Sequence, residues 1–491
     1  MKVPFLKNLL DRRVPRIFGV YVGGSWGILQ FVDWLEKRYV LSPHLTTFSL
    51  VILVSLIPTV LIVAYLHGKP GRDKWTKLEK IGIPTNLLFT ILLLFLLFYG
   101  KNLGAATEKI TVENEEGNRV ERVVPKREFR KSVAIFNFEN KSGDAELDWL
   151  QFGLSLWLRY DLYQDFFLET IIMSDSSSFY DRMKDAGFPE LVGLPFSLER
   201  KIAADYYMHY FLTGDFTQSE NQLTVKTALY ETERGKSIAE RTITGGDIFT
   251  LIDRITVQLK RDLGLPDYQL QETVDLPVSE VATNSLDAMK LMTLGAKAML
   301  IERDYEAALQ YFEQSVQVDP TCAVAYFSIG SINFELKQQE KARKAFEQAL
   351  KYKYKLPGSI EYFVKDLYFT LTGDAEKAFK VRKMRVELYP DDTVARSNLI
   401  AAYINREQLD KAITEYNKLI EIAPEPSKYY HDIGKVYLDK GVFDEALKYY
   451  QRYADEFPDE ARSFKKLAEL YEAMGDIQQA KTASERALLL E

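Results

Sequence analysis

Residues 429–458 read YYHDIGKVYLDKGVFDEALKYYQRYADEFP. Ile433, Gly434 and Tyr437 supply the packing face of a first helix, Ala446 the close contact of a second, and Pro458 ends the unit. The same signals recur along the C-terminal half. The small residue of the second helix is Ala308, Ala342, Ala378, Ala412, Ala446 and Ala480, at steps of 34, 36, 34, 34 and 34. Prolines close units at Pro320, Pro390, Pro424 and Pro458, and tight turns stand at Gly373-Asp374 and Gly475-Asp476. The physics is direct. Ala or Gly lets two helices touch, aromatic rings fill the gap, and proline cannot continue a helix. Each helix pair buries its face only by stacking on the next pair, so the period implies a curved superhelix with a concave groove.

This spacing and residue pattern is the tetratricopeptide repeat signature, and residues 286–491 divide into six such repeats. The third is irregular. It carries a two-residue insertion near Lys355-Leu356-Pro357-Gly358, and Asp366 stands where the first helix has a small residue elsewhere. The second, fifth, ninth and twelfth residues of a repeat line the groove in this architecture. In the last three repeats these include Ser397, Ala401 and Ile404, then Lys428, His431 and Lys435, then Arg462, Lys465 and Glu469. That stretch is mildly basic and suits a protein or peptide partner bearing acidic residues. The default reading of any one of these side chains is a solvated helix face. The Lys/Asn set with which chaperone-binding repeats clamp a terminal carboxylate is not present together.

The N-terminal hundred residues are of another kind. They hold 12 Lys/Arg and 5 Asp/Glu, against 51 and 65 in the remaining 391. A basic apolar end before an acidic body suits an anchored protein and argues against nucleic acid, which needs a dense cationic face. Residues 1–103 are expected to be a membrane anchor. Leu45–Leu66, kinked at Pro58, and Leu87–Phe98, with Pro84 at the helix start, are expected to span the bilayer. Ile17–Trp34 is a third candidate, leaving two spans if it lies on the surface. Its Gly19, Gly23 and Gly27 form a bare face that packs either on the neighbouring helices or against another membrane subunit or a second copy. Lys2, Lys7, Arg12, Arg13 and Arg16, and Lys69, Arg72, Lys74, Lys77 and Lys80, mark two cytoplasmic segments. Three spans satisfy both. They would leave residues 101–491 outside the cytoplasm, in the periplasm of a bacterial envelope.

Between anchor and repeats, residues 104–130 read as a polar linker with a possible short hairpin, and 266–285 as a second linker. Residues 131–265 mix strands and helices. Ser132–Phe138 is a buried strand, Trp149–Tyr163 a helix, Phe167–Ser174 a strand and Leu198–Tyr206 a helix. Tyr207–Phe216 and Leu223–Tyr230 form a hairpin around Ser219-Glu220-Asn221-Gln222, Ser237–Thr244 adds a strand, and Ile248–Leu263 is a closing helix. The expected fold is an α+β sandwich with one covered face. The runs Ala134–Asp144 with Leu147-Asp148-Trp149-Leu150, Phe211–Phe216 and Asp247-Ile248-Phe249 resemble the TolB N-terminal-like (FlgO-like) domain. That resemblance implies an envelope-associated interaction domain. The whole architecture is similar to a bacterial family in which this domain and the repeats follow membrane helices, sometimes behind a nucleotide cyclase. Only 16 residues precede the first helix, so no cyclase is expected.

The chain offers little for chemistry. His44, His67, His209 and His431 lie in separate regions, and Cys322 is the single cysteine. No zinc spacing, Walker A or GxGxxG pattern occurs, so no catalytic residue, cofactor or metal is expected. The loop Glu139–Asp144 lacks the glycines that expose backbone amides to phosphate and reads as a turn into a capped helix. Two functional readings remain. One is a membrane-held scaffold or assembly subunit. The other is a sensor whose three helices pass a bound-ligand signal to a membrane partner.

Overall fold

The structure is a computed structural model of the chain, described for residues 9, 10, 12–39, 41, 42, 44–67, 75–172, 183, 187, 188, 191–265, 276–423 and 426–490. Lys2, Lys7, Lys69, Arg72, Lys74, Ser174, Pro424, the linker positions 266–275 and the side chain of Lys428 lie outside the described residues. Two compact bodies form: Met1–Glu108 with Gly264–Thr273, and Lys109–Leu263 with Val274–Glu491.

The first body contains α1 (Val14–Tyr39), α2 (His44–Ser55), α3 (Ile57–His67) and α4 (Lys77–Phe98). Pro58 divides the apolar stretch 44–67 into α2 and α3, because proline lacks the amide that would continue the ladder. Carbonyls beside the break find donors on neighbouring helices. The Tyr21 hydroxyl donates to the Leu53 carbonyl at 2.5 Å, and Asn86 Nδ2 to the Ser55 carbonyl at 2.9 Å. Such re-satisfaction is what a kink in an apolar environment requires. Helix α1 runs antiparallel along this whole stretch: Arg12 donates to the Tyr65 carbonyl at one end, and Glu36 accepts from Thr46 at the other. The helix start expected at Pro84 is corrected. Thr76 and Glu79 make a reciprocal capping box, so α4 begins at Lys77 and Pro84 lies inside it. His44–His67 and Lys77–Phe98 are long and apolar enough to cross a membrane. Among the described residues the glycine face of α1 does not pack on its neighbours, since a Cβ added at Gly19, Gly23 or Gly27 would meet none of them within 4 Å.

The second body opens with a two-stranded hairpin, β1 (Thr107–Glu113) and β2 (Arg119–Pro125), where a linker with a possible short hairpin was expected. Its Val112 and Val124 are buried against Met384 and Leu388 of the third helix pair, and Glu115 and Glu113 pair with Lys365 and Lys380 at 2.7 and 2.9 Å. A polar composition hid two apolar anchors on one hairpin face. There follow β3 (Lys131–Ile135), α5 (Trp149–Leu162), β4 (Leu168–Ile172), α6 (Phe196–Asp205), β5 (Tyr210–Ser219), β6 (Gln222–Glu231), β7 (Lys236–Gly245) and α7 (Ile248–Asp262). The sheet order is β4-β3-β5-β6-β7, with β3 parallel to β4 and β5 and the last three strands an antiparallel meander. The β5–β6 turn places Glu220 and Asn221 at φ 49° and 60°, as a tight two-residue hairpin demands. Gly214 has no room for a side chain, because a Cβ would fall 2.4 Å from the Phe138 ring. Both sheet faces are covered, correcting the one-face expectation. Leu154 and Leu158 of α5 and Ile252 and Ile255 of α7 are buried in one layer; Ala134, Phe136 and Phe211 pack with Ile202 and Ala203 of α6 in the other.

The second expected linker is also structured where it is described. Helix α8 (Val278–Val281) buries Val278 and Val281, and the Val278 amide donates to Asp253 Oδ1 at 2.8 Å. Six antiparallel helix pairs then follow. Their helices A and B are Leu286–Lys297 and Tyr305–Val318, Ala323–Glu335 and Gln339–Lys351, Gly358–Thr372 and Ala375–Leu388, Thr393–Asn405 and Leu409–Ile422, Tyr430–Asp439 and Phe443–Glu456, and Ala461–Met474 and Ile477–Leu489.

Candidate protein-interaction site

In the second and fifth pairs, one glycine–ring notch holds the helices together. A Cβ at Gly330 would lie 2.5 Å from the Phe346 ring, and one at Gly434 would lie 2.8 Å from the Tyr450 ring. The first pair repeats this with Gly295 and Phe312, one residue further apart, and a π turn at Ala298–Glu302 takes up the extra residue. The third pair breaks the rule at both ends. Asp366 replaces the small residue and Arg382 the ring. They form a 2.7 Å ion pair with side chains 4% and 21% exposed, and Thr370 accepts from Arg382 at 3.0 Å. A small–large notch has become a buried charge pair.

The α/β region is fixed to the front of the array. Trp157 Nε1 of α5 donates to Thr293 Oγ1 at 2.8 Å, both buried. Phe166 stacks on Tyr389 at 5.3 Å, Arg130 donates to the Leu388 carbonyl at 3.1 Å, and Arg127 pairs with Asp391 at 3.0 Å. Beside these groups lies Glu169 of β4. Burial, and then the nearby charge of Asp391, push its carboxyl up to about 7, while Arg130 and Arg127 pull it down. All these contacts fall on the first three pairs and the turn that follows them.

The predicted groove positions lie in pairs four to six. Ala401, Lys435, Arg462 and Lys465 are exposed, as is Glu469, which accepts from Lys466 at 2.6 Å. Ser397 is half-buried, its hydroxyl returned to the Thr393 carbonyl of its own helix. His431 needs correction. It is only 6% exposed, walled by the rings of Tyr450 and Tyr453 at 5.9 and 5.6 Å, with Nδ1 near Asp432 Oδ1 and Arg462 Nη2. It supports Arg462 rather than facing a partner. Of the predicted positions, those left exposed are thus Ala401, the cations Lys435, Arg462 and Lys465, and Glu469.

No catalytic constellation accompanies this surface among the described residues. Ser132 and His209 meet at 2.8 Å, but Ser132 is buried and its oxygen also accepts the His209 backbone amide at 3.0 Å, which holds it as a structural group. Burial pushes the Cys322 thiol up to about 11, so it stays protonated and unreactive. No cluster of three or more potential metal-ligating side chains occurs among the described residues. The sequence reading passed over Arg382 and the arginines beside β7. The first was detectable, because Asp366 and Arg382 depart together from the glycine–aromatic pattern of repeats one, two and five.

Family models for tetratricopeptide repeats match residues 298–359, 401–426 and 431–489, leaving the irregular third pair largely unmatched. The chain is similar in structure to PilW, a widely conserved type IV pilus biogenesis factor, at 18% identity and TM-score 0.37 over 40% of this chain and 91% of that one. It is also similar to PilF of Pseudomonas aeruginosa, at 15% identity and TM-score 0.35 over 40% and 88%. A third likeness is YrrB, a repeat protein with an unusual peptide-binding site, at 21% identity and TM-score 0.30 over 36% and 90%. No curated protein matches the sequence.

Proposed function

We propose that this chain is a membrane-anchored scaffold whose repeats four to six grip a carboxylate-bearing segment of an envelope protein outside the cytoplasm. The C-terminal half carries tetratricopeptide repeats, a non-catalytic architecture for protein interaction. One observation carries the reading. The first pair, the end of the third and the turn after it are engaged by the α/β region, whereas Lys435, Arg462 and Lys465 remain exposed at stacked positions of the last two. The anchor half of the proposal rests on apolar side chains turned outward along the first body, among them Trp26, Phe31, Leu88, Ile91 and Leu96. The Arg12–Tyr65 bond supports three spans, because it brings the basic N-terminal segment to the same end of the bundle as the basic loop after His67. The TolB N-terminal-like resemblance supports an envelope setting for residues 131–265.

The test is a pull-down of the tagged full chain from membranes in mild detergent. A stoichiometric partner held by the wild type and lost by Lys435→Glu/Arg462→Glu/Lys465→Glu is the expected result. A partner held equally by both chains would refute the assignment of the surface.

A further inference from the structure

The sheet ends in β7, whose outer edge pairs with no described strand. A bulge at Ile238 interrupts this edge, and Ala239–Gly245 beyond it remains a regular ladder open as a template for another chain. Helix α7 runs beside this edge, and between the two opens a cleft of about 420 Å³. Arg241 and Thr242 of β7 and Thr250, Arg254, Val257 and Arg261 of α7 are among the residues lining it. Three guanidiniums outnumber the single lining carboxylate, Asp253, and give the cleft its sign. Arg241 is clamped to Asp262 at 2.6 and 3.0 Å, and Arg254 Nη1 donates to the Thr244 carbonyl at 2.8 Å, so a helix side chain already reaches the rim of the strand. The nearby carboxylates are turned to internal donors, Asp262 to Arg241 and Gln258, and Asp253 to the Val278 amide.

We propose that the β7–α7 cleft takes an extended, carboxylate-bearing segment of a partner protein as an added strand along β7. Main-chain hydrogen bonds to the open edge would supply affinity, and alternate side chains would point across the cleft to α7. Carboxylates two residues apart on that segment are spaced by about 7 Å. Arg254 and Arg261 are two helical turns, or about 10 Å, apart, within the reach of their long side chains. A second copy of β7 is disfavoured as the occupant, because it would bring two cations, Lys236 and Arg241, and only one acid, Glu240, against the same cations. This site is separate from the repeats, so it stands or falls independently of the surface proposed above.

The test uses the full chain in mild detergent and three synthetic peptides of about ten residues, matching the length of the edge. One alternates Glu with Val and Thr, one has Lys for Glu, and one is the acidic peptide N-methylated at alternate amides. Anisotropy gives affinity, and amide exchange gives location. The acidic peptide is expected to bind, to weaken with salt, and to slow exchange across residues 236–245. N-methylation is expected to weaken binding by about tenfold or more, since it removes ladder donors. Arg254→Gln and Arg261→Gln, each checked for an unchanged melting curve, are expected to weaken it as well. Absence of binding, equal binding of the lysine peptide, or protection confined to the repeat helices would overturn the proposal.

Discussion

The third helix pair yields the sharpest energetic prediction. Replacing Arg382 by Phe leaves the Asp366 carboxylate, 4% exposed, without its cation. Breaking a buried pair from this side costs about 3–5 kcal/mol. Replacing Asp366 by Gly is milder. Arg382 keeps a fifth of its surface in water and its bond to Thr370, so the loss is about 1–3 kcal/mol. Making both changes installs the Gly330–Phe346 notch of the second pair. Well-packed apolar replacement of a buried ion pair is often neutral or better, and an interior glycine costs about 1 kcal/mol in helix propensity, so the double variant should fall within about 1–2 kcal/mol of the parent. The coupling between the two sites is therefore large and favourable. Because a repeat array need not unfold in one step, the assay is amide exchange across residues 358–388 in the detergent-solubilised chain. A double variant as unstable as the two single losses added together would refute the reasoning.

Other consequences follow from the same structure. Glu169, held at about 7 against 4.5 in the unfolded chain, binds a proton more readily when folded, so its contribution is full below pH 4.5 and is lost as pH rises through about 7. Exchange protection where β4 meets the Asp391 turn should therefore fall by on the order of 2 kcal/mol between acid and alkaline conditions, and Glu169→Gln should flatten that profile. Tyr21→Phe and Asn86→Leu each remove a donor from the Pro58 kink and should lower resistance to SDS unfolding by about 0.5–2 kcal/mol apiece. A glycine pair separates packing from open surface. Gly434→Ala should destabilise its repeat by about 1–2 kcal/mol, because the clash with Tyr450 outweighs the gain in helix propensity. Gly23→Ala meets nothing within 4 Å and should show no loss in the SDS titration.

The repeat fold was legible because period and packing are one fact seen twice: alanine every thirty-four residues is where two helix axes approach. The α/β region was legible from alternation, most clearly in Gln222–Glu231, where buried residues recur at every second position from Leu223 to Leu229. Connections were read less well. Gly104–Arg130 is polar on average, and nothing local in it shows that Val112 and Val124 share a face that meets Met384, more than 250 residues on. Depth in the groove was equally hidden. Repeat numbering puts His431 and Lys435 on one stripe, but Tyr450 and Tyr453 from the following helix wall in the first and leave the second exposed. The β7–α7 cleft left only a faint trace, the seven-residue spacing of Arg254 and Arg261, which reads as an ordinary solvated helix face until the strand edge is seen beside it.

The claim that the far end of the array is the gripping surface is tested most directly by site-specific photo-crosslinking in native membranes. A photoreactive residue would be placed in turn at Ala401, Lys435 and Lys465 on the A helices, and at Lys448 and Lys481 on the B helices, all exposed. One discrete adduct at the first three positions and none at the last two is the predicted outcome. Adducts of equal yield on both sets, or on the B helices alone, would contradict it.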